Sequence, residues 1–359
     1  MPVYRNPDFR YLPAGLTCLF DTAVEGSFFA LPAWYDLMAR HGVPAGSEIR
    51  VYTDERPESA MALLLRSTAP EGDCCLKSLA NAYSVEHDII SGPETDLDAG
   101  FATILSEILS ERPRWDGLGL AEFEPLDPSY PAAVRSLRRA GLLVACAFAS
   151  GTWYEETAAL SFADYVAARP SELRNTWRRK QRRVDRSGRL SKAFFAGTAN
   201  IDQAIADYQT IYAASWKPAE SYPEFIPALI RLAAELGALR LGIYYIDGAP
   251  AAAQFWILWR GCAIIYKLAH DKRLDDLSLG TLLTMEMIER VLADDHPREI
   301  TLGRGDDPYK KLWLPKRRER WGIYAANPRT WNGLGSGLKR EAGKFYHRLR
   351  GARVSPFLR

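Results

Sequence analysis

The sequence predicts an α/β protein made of two units in tandem, and three observations carry that prediction. The chain has 359 residues, which is long for one simple domain and suits two of ordinary size. Up to about Gly151, segments patterned as strands alternate with segments patterned as helices. From Arg240 to Lys310 the pattern is strand, strand, strand, glycine turn, helix, strand. Each unit is therefore expected to hold a mixed, mostly antiparallel sheet flanked by helices, an α+β arrangement.

Composition sets bounds. Apolar residues make up 47% and charged residues 25%, both near the average for globular proteins, so a substantial core needs neither metals nor disulfides. A net charge of +2 excludes a polycation. The cysteines, Cys18, Cys74, Cys75, Cys146 and Cys262, are odd in number and contain no C-x-x-C pair. They fit a reducing compartment, with Cys146 and Cys262 packing as small hydrophobes. The opening residues MPVYRNPDFRYLPAG carry no apolar run behind basic residues, and no stretch is long and apolar enough to span a bilayer. A cytoplasmic protein without a transmembrane segment is expected.

In the first unit, Ser27 to His41 reads as a helix entered through Pro32. Glu48 to Thr53 and Ser59 to Arg66 read as strands joined by a proline-containing turn. Phe101 to Ser110 places Phe101, Ile104, Leu105 and Ile108 at helical spacing. Trp115 to Phe123 is a strand, Tyr130 to Ala140 a helix stopped by Gly141, and Leu142 to Phe148 an apolar strand.

Residues 152 to 190 read as a connector. It holds a helix from Phe162 to Ala168 and, after Pro170, a second one capped by Ser171 and ended by Gly188. That second helix is strongly basic. The second unit begins with a strand at Ser191, then helices from Ile201 to Trp216 and from Glu224 to Leu236. Leu282, Met285, Ile288 and Leu292 form a core-facing stripe on the later helix. The expected boundaries are 1–151, a degenerate first unit; 152–190, the connector; 191–330, the second unit; and 331–359, a basic tail with a surface helix from Leu338 to Leu349. The two halves share a coarse element order.

The turn Leu279-Gly280-Thr281 stands where strand pattern gives way to helix pattern. There, unpaired backbone N–H groups and the positive end of the helix dipole can hold a phosphate, and Gly280 lets backbone approach it. No Walker A run, no full G-x-G-x-x-G and no Cys/His spacing for zinc occurs, so ATP, dinucleotide and metal readings are set aside.

Several segments together resemble the GNAT superfamily. They are Ala214-Ser215-Trp216-Lys217, then Ile265 through Asp271, then Ser278-Leu279-Gly280-Thr281-Leu282-Leu283, and finally Leu302 through Trp313, which contains Asp306-Asp307-Pro308-Tyr309-Lys310. More narrowly, the chain looks like the branch of acetyltransferases involved in cellulose biosynthesis, a relative of the Fem-type aminoacyl transferases. The resemblance runs from Leu160 to Trp321, is looser over the first 150 residues and is absent from the tail. The basic helix is also typical of that branch. The branch usually opens the helix with Pro-Gly, where this chain has Leu279-Gly280, and the full GNAT phosphate turn is not present.

The resemblance implies a double-GNAT architecture whose second unit binds acetyl-CoA or another acyl-CoA as co-substrate, with no metal. Acyl transfer to an amine or hydroxyl needs a proton acceptor, an oxyanion donor and a proton for the leaving thiolate. Asp306 or Asp307 is expected to orient or deprotonate the acceptor, and Tyr309 to protonate sulfur or polarise the carbonyl. His270 is a further candidate base, since histidine is the residue type whose unperturbed pKa lies near neutrality. Ser278, Leu279, Gly280 and Thr281, with Arg273 and Lys310, are expected to hold donor phosphates. Trp216 and Tyr266 are expected to line the acceptor side. Trp313 and Trp321 read as either core or cleft.

The basic run Arg174 to Arg189 reads first as a solvated helix face. Its functional alternatives are tRNA or an anionic surface. The expected activity is acyl-CoA-dependent N- or O-acyl transfer to a small-molecule or saccharide acceptor in envelope or exopolysaccharide metabolism. Aminoacyl transfer from charged tRNA and a non-catalytic binding or scaffolding role on a degenerate frame are the alternatives.

Overall fold

A computed structural model describes residues 3–24, 26–54, 61–67, 74–86, 89–92 and 94–349. The chain forms two compact units, Met1–Gly151 with Glu319–Arg359, and Thr152–Arg318.

In the first unit the elements follow in the order β1 (Val3–Arg5), α1 (Ala14–Val24), α2 (Pro32–His41), β2 (Ile49–Asp54), β3 (Met61–Ser67), β4 (Cys75–Ser78), β5 (Ile90–Ser91), α3 (Leu97–Ser110), β6 (Gly117–Phe123), α4 (Ser129–Arg139) and β7 (Leu143–Glu156). The expected proline turn between β2 and β3 lies outside the described residues. β2 pairs antiparallel with β1 and β3, and β3 with β4, whereas β4 and β6 run parallel because α3 carries the chain across. The helical spacing of α3 buries Phe101, Ile104, Leu105 and Ile108 against Leu63, Leu65, Leu118 and Leu120 of the sheet. Asp96 caps α3, its carboxylate accepting the Ala99 N–H at 3.1 Å.

The second unit runs α5 (Phe162–Ala167), α6 (Ser171–Ser187), β8 (Leu190–Phe195), α7 (Ile201–Ala214), α8 (Phe225–Glu235), β9 (Leu239–Ile246), β10 (Ala249–Trp259), β11 (Cys262–His270), α9 (Leu279–Arg290) and β12 (Glu299–Thr301). The strand order is β8-β9-β10-β11-β12. All neighbours are antiparallel except β11 and β12, which α9 joins in parallel. On its other side β12 pairs with Tyr154–Glu156, the end of β7 that belongs to the second unit.

α9 sits close on the sheet. Leu279, Leu282, Leu283, Met285, Met287 and Ile288 are all buried, each worth about 1.5–3 kcal/mol relative to exposure. Gly242 on β9 makes the approach possible, because a Cβ there would meet Met287 Sδ at 2.7 Å and Leu283 Cδ1 at 3.0 Å.

Three expectations need adjusting. The basic helix is no free connector: Leu173 and Val184 enter the second core, Trp177 packs against it, and Arg183 pairs with Asp276 at 2.7 Å. Ser171 is its first residue rather than its cap; Pro170 holds the cap position and no side-chain cap bond forms. The last part of the expected second unit and the segment expected as a tail join the first unit. β13 (Lys316–Ala326) pairs with β6, and α10 (Trp331–Leu349) begins at Trp331 rather than Leu338. Thr330 Oγ1 accepts the Gly333 N–H at that early start.

Candidate active site

β11 and β12 pair over three residues only, Cys262–Ile264 with Glu299–Thr301. β11 then continues to His270 on the support of β10, while the chain after β12 turns away through Leu302 to Asp307 into a 3-10 turn, Pro308–Leu312. Two parallel strands that start side by side thus part, and a cleft of about 390 Å³ opens at the fork. β11 lends it Leu268 and His270, and α9 lends it Gly280, Thr281 and Thr284. Tyr309, Leu312 and Trp313 come from the chain after β12, Trp216 from just past α7, and Glu172, Leu173 and Thr176 from the first turns of α6.

A 3-10 segment, Lys272–Leu277, separates β11 from α9, so strand does not pass directly into helix as expected. Ser278 then takes a left-handed conformation with φ 54° and gives α9 no side-chain cap. The N–H groups of Thr281 and Leu282 return to the Ser278 carbonyl. Those of Leu279 and Gly280 have no partner among the described residues, which leaves two donors at the positive end of the helix. The end is held in place from β10: Gln254 Nε2 donates to the Gly280 carbonyl at 3.1 Å and to Thr284 Oγ1, and Gln254 Oε1 accepts Trp256 Nε1–H at 2.9 Å.

His270 packs between this helix end and Trp216, whose ring centroid lies 4.6 Å away at 47°. A Cβ at Gly280 would stand 3.2 Å from His270 Nδ1, so glycine is what allows the approach. Nε2 lies 2.8 Å from Asp275 Oδ1, while Nδ1 is buried without a hydrogen-bond partner. A buried nitrogen left unpaired costs free energy, and this one is packed against Gly280 while the ring as a whole forms part of the cleft wall.

Tyr309 keeps 43% of its surface exposed, and its phenol is pushed up to about 12 by burial first and by the charge of Asp307 second. It therefore stays protonated at neutral pH. Lys217, which follows Trp216, is held down at about 8 by burial and by the like charge of Lys267, with Glu220 opposing.

Not every expected residue faces the cleft. Asp306 lies outside its lining, held by Arg317 through a pair of bonds of 2.7 and 2.6 Å and by Trp153 Nε1–H. Lys310 is 7% exposed and donates to the carbonyls of Leu302 at 2.9 Å and Arg304 at 2.8 Å, so its ammonium ties the loop instead of reaching outward. Arg273 is paired with Asp271 at 2.5 Å. The Leu279 side chain is in the core, leaving only its backbone for the site. Tyr266 is not in the lining; its ring meets Phe255 edge-on at 5.5 Å. Trp313 forms part of the cleft wall, and Trp321 belongs to the core of the first unit. Sequence reasoning missed Glu172, Thr176, Leu268 and Thr284; the spacing of Glu172, Leu173 and Thr176 as i, i+1 and i+4 was the available signal that one helix flank is shared.

Among the described residues no group of three or more His, Cys, Asp or Glu is placed to hold a metal ion, and no helix is long and apolar enough to cross a membrane.

Residues 171–311 match the family model of the Acetyltransferase (GNAT) domain, so the second unit carries a GNAT-family acyltransferase domain. The fold of the whole chain is similar to that of FemX, with TM-score 0.59, 9% identity, and 90% of this chain and 97% of that one covered. It is also similar to the C-terminal domain of a proposed lysylphosphatidylglycerol synthetase from Agrobacterium fabrum, with TM-score 0.55, 12% identity, and 92% and 96% covered. A tandem GNAT protein from the clavulanic acid biosynthesis pathway gives TM-score 0.50, 15% identity, and 91% and 99% covered. At these identities the likeness is one of fold. Among curated proteins none matches the chain.

Proposed function

We propose that the second unit transfers an acyl group from an acyl-CoA, acetyl-CoA in the simplest case, to an amine or hydroxyl acceptor by direct attack on the thioester. The observation that carries this reading is the fork between β11 and β12, which meets the unpaired N–H groups of Leu279 and Gly280 beside His270 and Tyr309. The helix end suits the donor pyrophosphate, and the fork suits an extended pantetheine arm whose amides pair with the open edge of β11.

In the reaction the acceptor nitrogen or oxygen bonds to the thioester carbon while its proton passes to His270. The carbon–sulfur bond then breaks, and the thiolate leaves beside Tyr309. Burial keeps the Tyr309 phenol protonated at neutral pH, so it can hydrogen-bond the departing sulfur, while its raised pKa makes it a weak acid. Asp307, expected to orient the acceptor, also lies outside the cleft lining and acts through its charge on Tyr309 and Lys310. Asp306 is left a structural part, because its ion pair with Arg317 occupies it. Trp216 bounds the acceptor side.

The acceptor class, an amino sugar or a comparable small compound of envelope or exopolysaccharide metabolism, follows from the resemblance of the sequence to the cellulose-biosynthesis branch, and a cytoplasmic setting follows from cysteines that fit a reducing compartment. A second reading, aminoacyl transfer from a charged tRNA, draws on the fold likeness to FemX and on the arginines of α6.

The test is thiol release from acetyl-CoA with a panel of amine and sugar acceptors. His270→Gln should lower kcat by about 100-fold and Tyr309→Phe by about 10-fold or more, in the range typical of general acid–base groups. Asp306→Asn should stay within a few-fold of the parent. Parent rates in both His270 and Tyr309 variants would end this assignment.

A further inference from the structure

A second groove, of about 520 Å³, is lined by Asn175, Thr176, Arg178, Arg179, Arg182 and Arg186 of α6. At 3.6 residues per turn the four arginines fall within an arc of roughly 100° on the solvent side of the helix. Leu173, Trp177 and Val184 occupy the opposite side and enter the core. Lys180 and Arg183 are engaged with Asp276, the first through the backbone carbonyl. Arg178, Arg179, Arg182 and Arg186, by contrast, have no hydrogen-bond or ion-pair partner among the described residues.

Two facts tie this stripe to the cleft. Thr176 lines both the arginine groove and the fork cleft. The contacts of Lys180 and Arg183 with Asp276 fix α6 against the segment that leads into α9. Four like charges on one helix face repel one another and favour a bound polyanion.

We infer that Arg178, Arg179, Arg182 and Arg186 bind the phosphorylated end of the acyl donor, the nucleotide portion of CoA, while its thioester lies in the fork. The inference rests on the acyl-CoA reading above. Arg178 to Arg186 spans about 12 Å of helix, which suits a compact nucleotide end whose 3′-phosphate lies on the stripe while the pyrophosphate stays at the α9 end. A polynucleotide would be expected to use a longer track interleaved with stacking aromatics, and Trp177 turns inward instead. Arginine also supplies the paired N–H donors that phosphate oxygens accept.

The experiment measures acetyl-CoA, 3′-dephospho-CoA and bulk tRNA binding to the full chain, comparing the parent with Arg178→Gln/Arg182→Gln and Arg179→Gln/Arg186→Gln. Arg231→Gln, an exposed arginine on α8, serves as the charge control. The inference expects at least a 10-fold loss of acetyl-CoA affinity in one or both double variants, with unchanged melting temperature and an unchanged control. A smaller loss for 3′-dephospho-CoA than for acetyl-CoA is expected, because the 3′-phosphate lies on the stripe; equal losses for the two would overturn that placement. Parent-like acetyl-CoA affinity in both double variants overturns the inference and leaves the acyl-CoA reading standing, whether or not tRNA binding falls. An equal loss in the control also overturns it, since the effect would then be unspecific. No acetyl-CoA binding by the parent overturns both readings.

Discussion

A lysine ammonium at 7% exposure survives in this fold because two carbonyls, those of Leu302 and Arg304, receive its protons. Burial holds the Lys310 pKa below its ordinary value, with Asp307 and Asp306 opposing. Lys310→Met should destabilise the protein by about 2–4 kcal/mol, since it leaves two carbonyls short of a donor, and should barely change acyl-CoA affinity in the folded protein. A large affinity loss with unchanged stability, read from urea melts and binding isotherms, would return Lys310 to the phosphate site. Lys217 gives a pH prediction. Its folded pKa of about 8 lies below the ordinary 10.5, so the unfolded chain binds more protons between those values. Its contribution to stability therefore rises with pH from about 8 to about 10.5, and the penalty is full below about 8. Lys217→Met should flatten that rise in melts at pH 7.5 and 9.5; an unchanged slope would show that the group titrates normally. The sequence displayed the run Asp306 to Lys310 but not which members turn inward. That choice depends on Arg317 and Trp153, which reach Asp306 only after β12 has been laid against β7.

Helix ends differ between the two units in a way that bears on ligand choice. α3 and α9 each carry the chain between parallel strands, β4 to β6 and β11 to β12. The Asp96 carboxylate already sits on the first turn of α3 and would repel a phosphate, whereas α9 starts from Ser278 with no side-chain cap. The periodicity of apolar residues located both helices, and Gly280 marked the second one. The fork itself was not legible, because strand separation is decided by how far β12 runs before Leu302 turns away, a tertiary outcome with no local signal. Nor was the role of α6, whose arginines hide the apolar flank that docks it. Gly242→Val should cost about 1–3 kcal/mol by forcing α9 off β9 against Met287 and Leu283, an overpacking effect visible as a lowered melting temperature. Parent-like stability would mean that α9 can shift freely.

At the scale of the molecule, both units follow one plan as far as the parallel strand: a strand, two helices, three strands in a row (with the short β5 off the row in the first unit), a helix and a parallel strand. In the first unit the helix α4 follows that strand, and in the second the 3-10 turn Pro308–Leu312 does. The coarse echo of element order was readable in the sequence. The return of β13 and α10 to the first unit was not: the expected boundaries kept β13 in the second unit, and the composition of α10 resembled a solvated basic tail. A shared plan with one capped and one uncapped helix end predicts a single donor site per chain, in the second unit.

The most direct measurement is a thermal-shift titration of the full chain with acetyl-CoA, longer acyl-CoAs and free CoA, repeated with Gly280→Leu. Ligand linkage requires a stabilisation that grows with concentration, about 2.7 kcal/mol at 100 times Kd. The account predicts that rise in the parent and its loss in Gly280→Leu, whose side chain would press on His270 and fill the mouth of the fork. A parent that shifts with no CoA species, or a Gly280→Leu protein that shifts as the parent does, would contradict it.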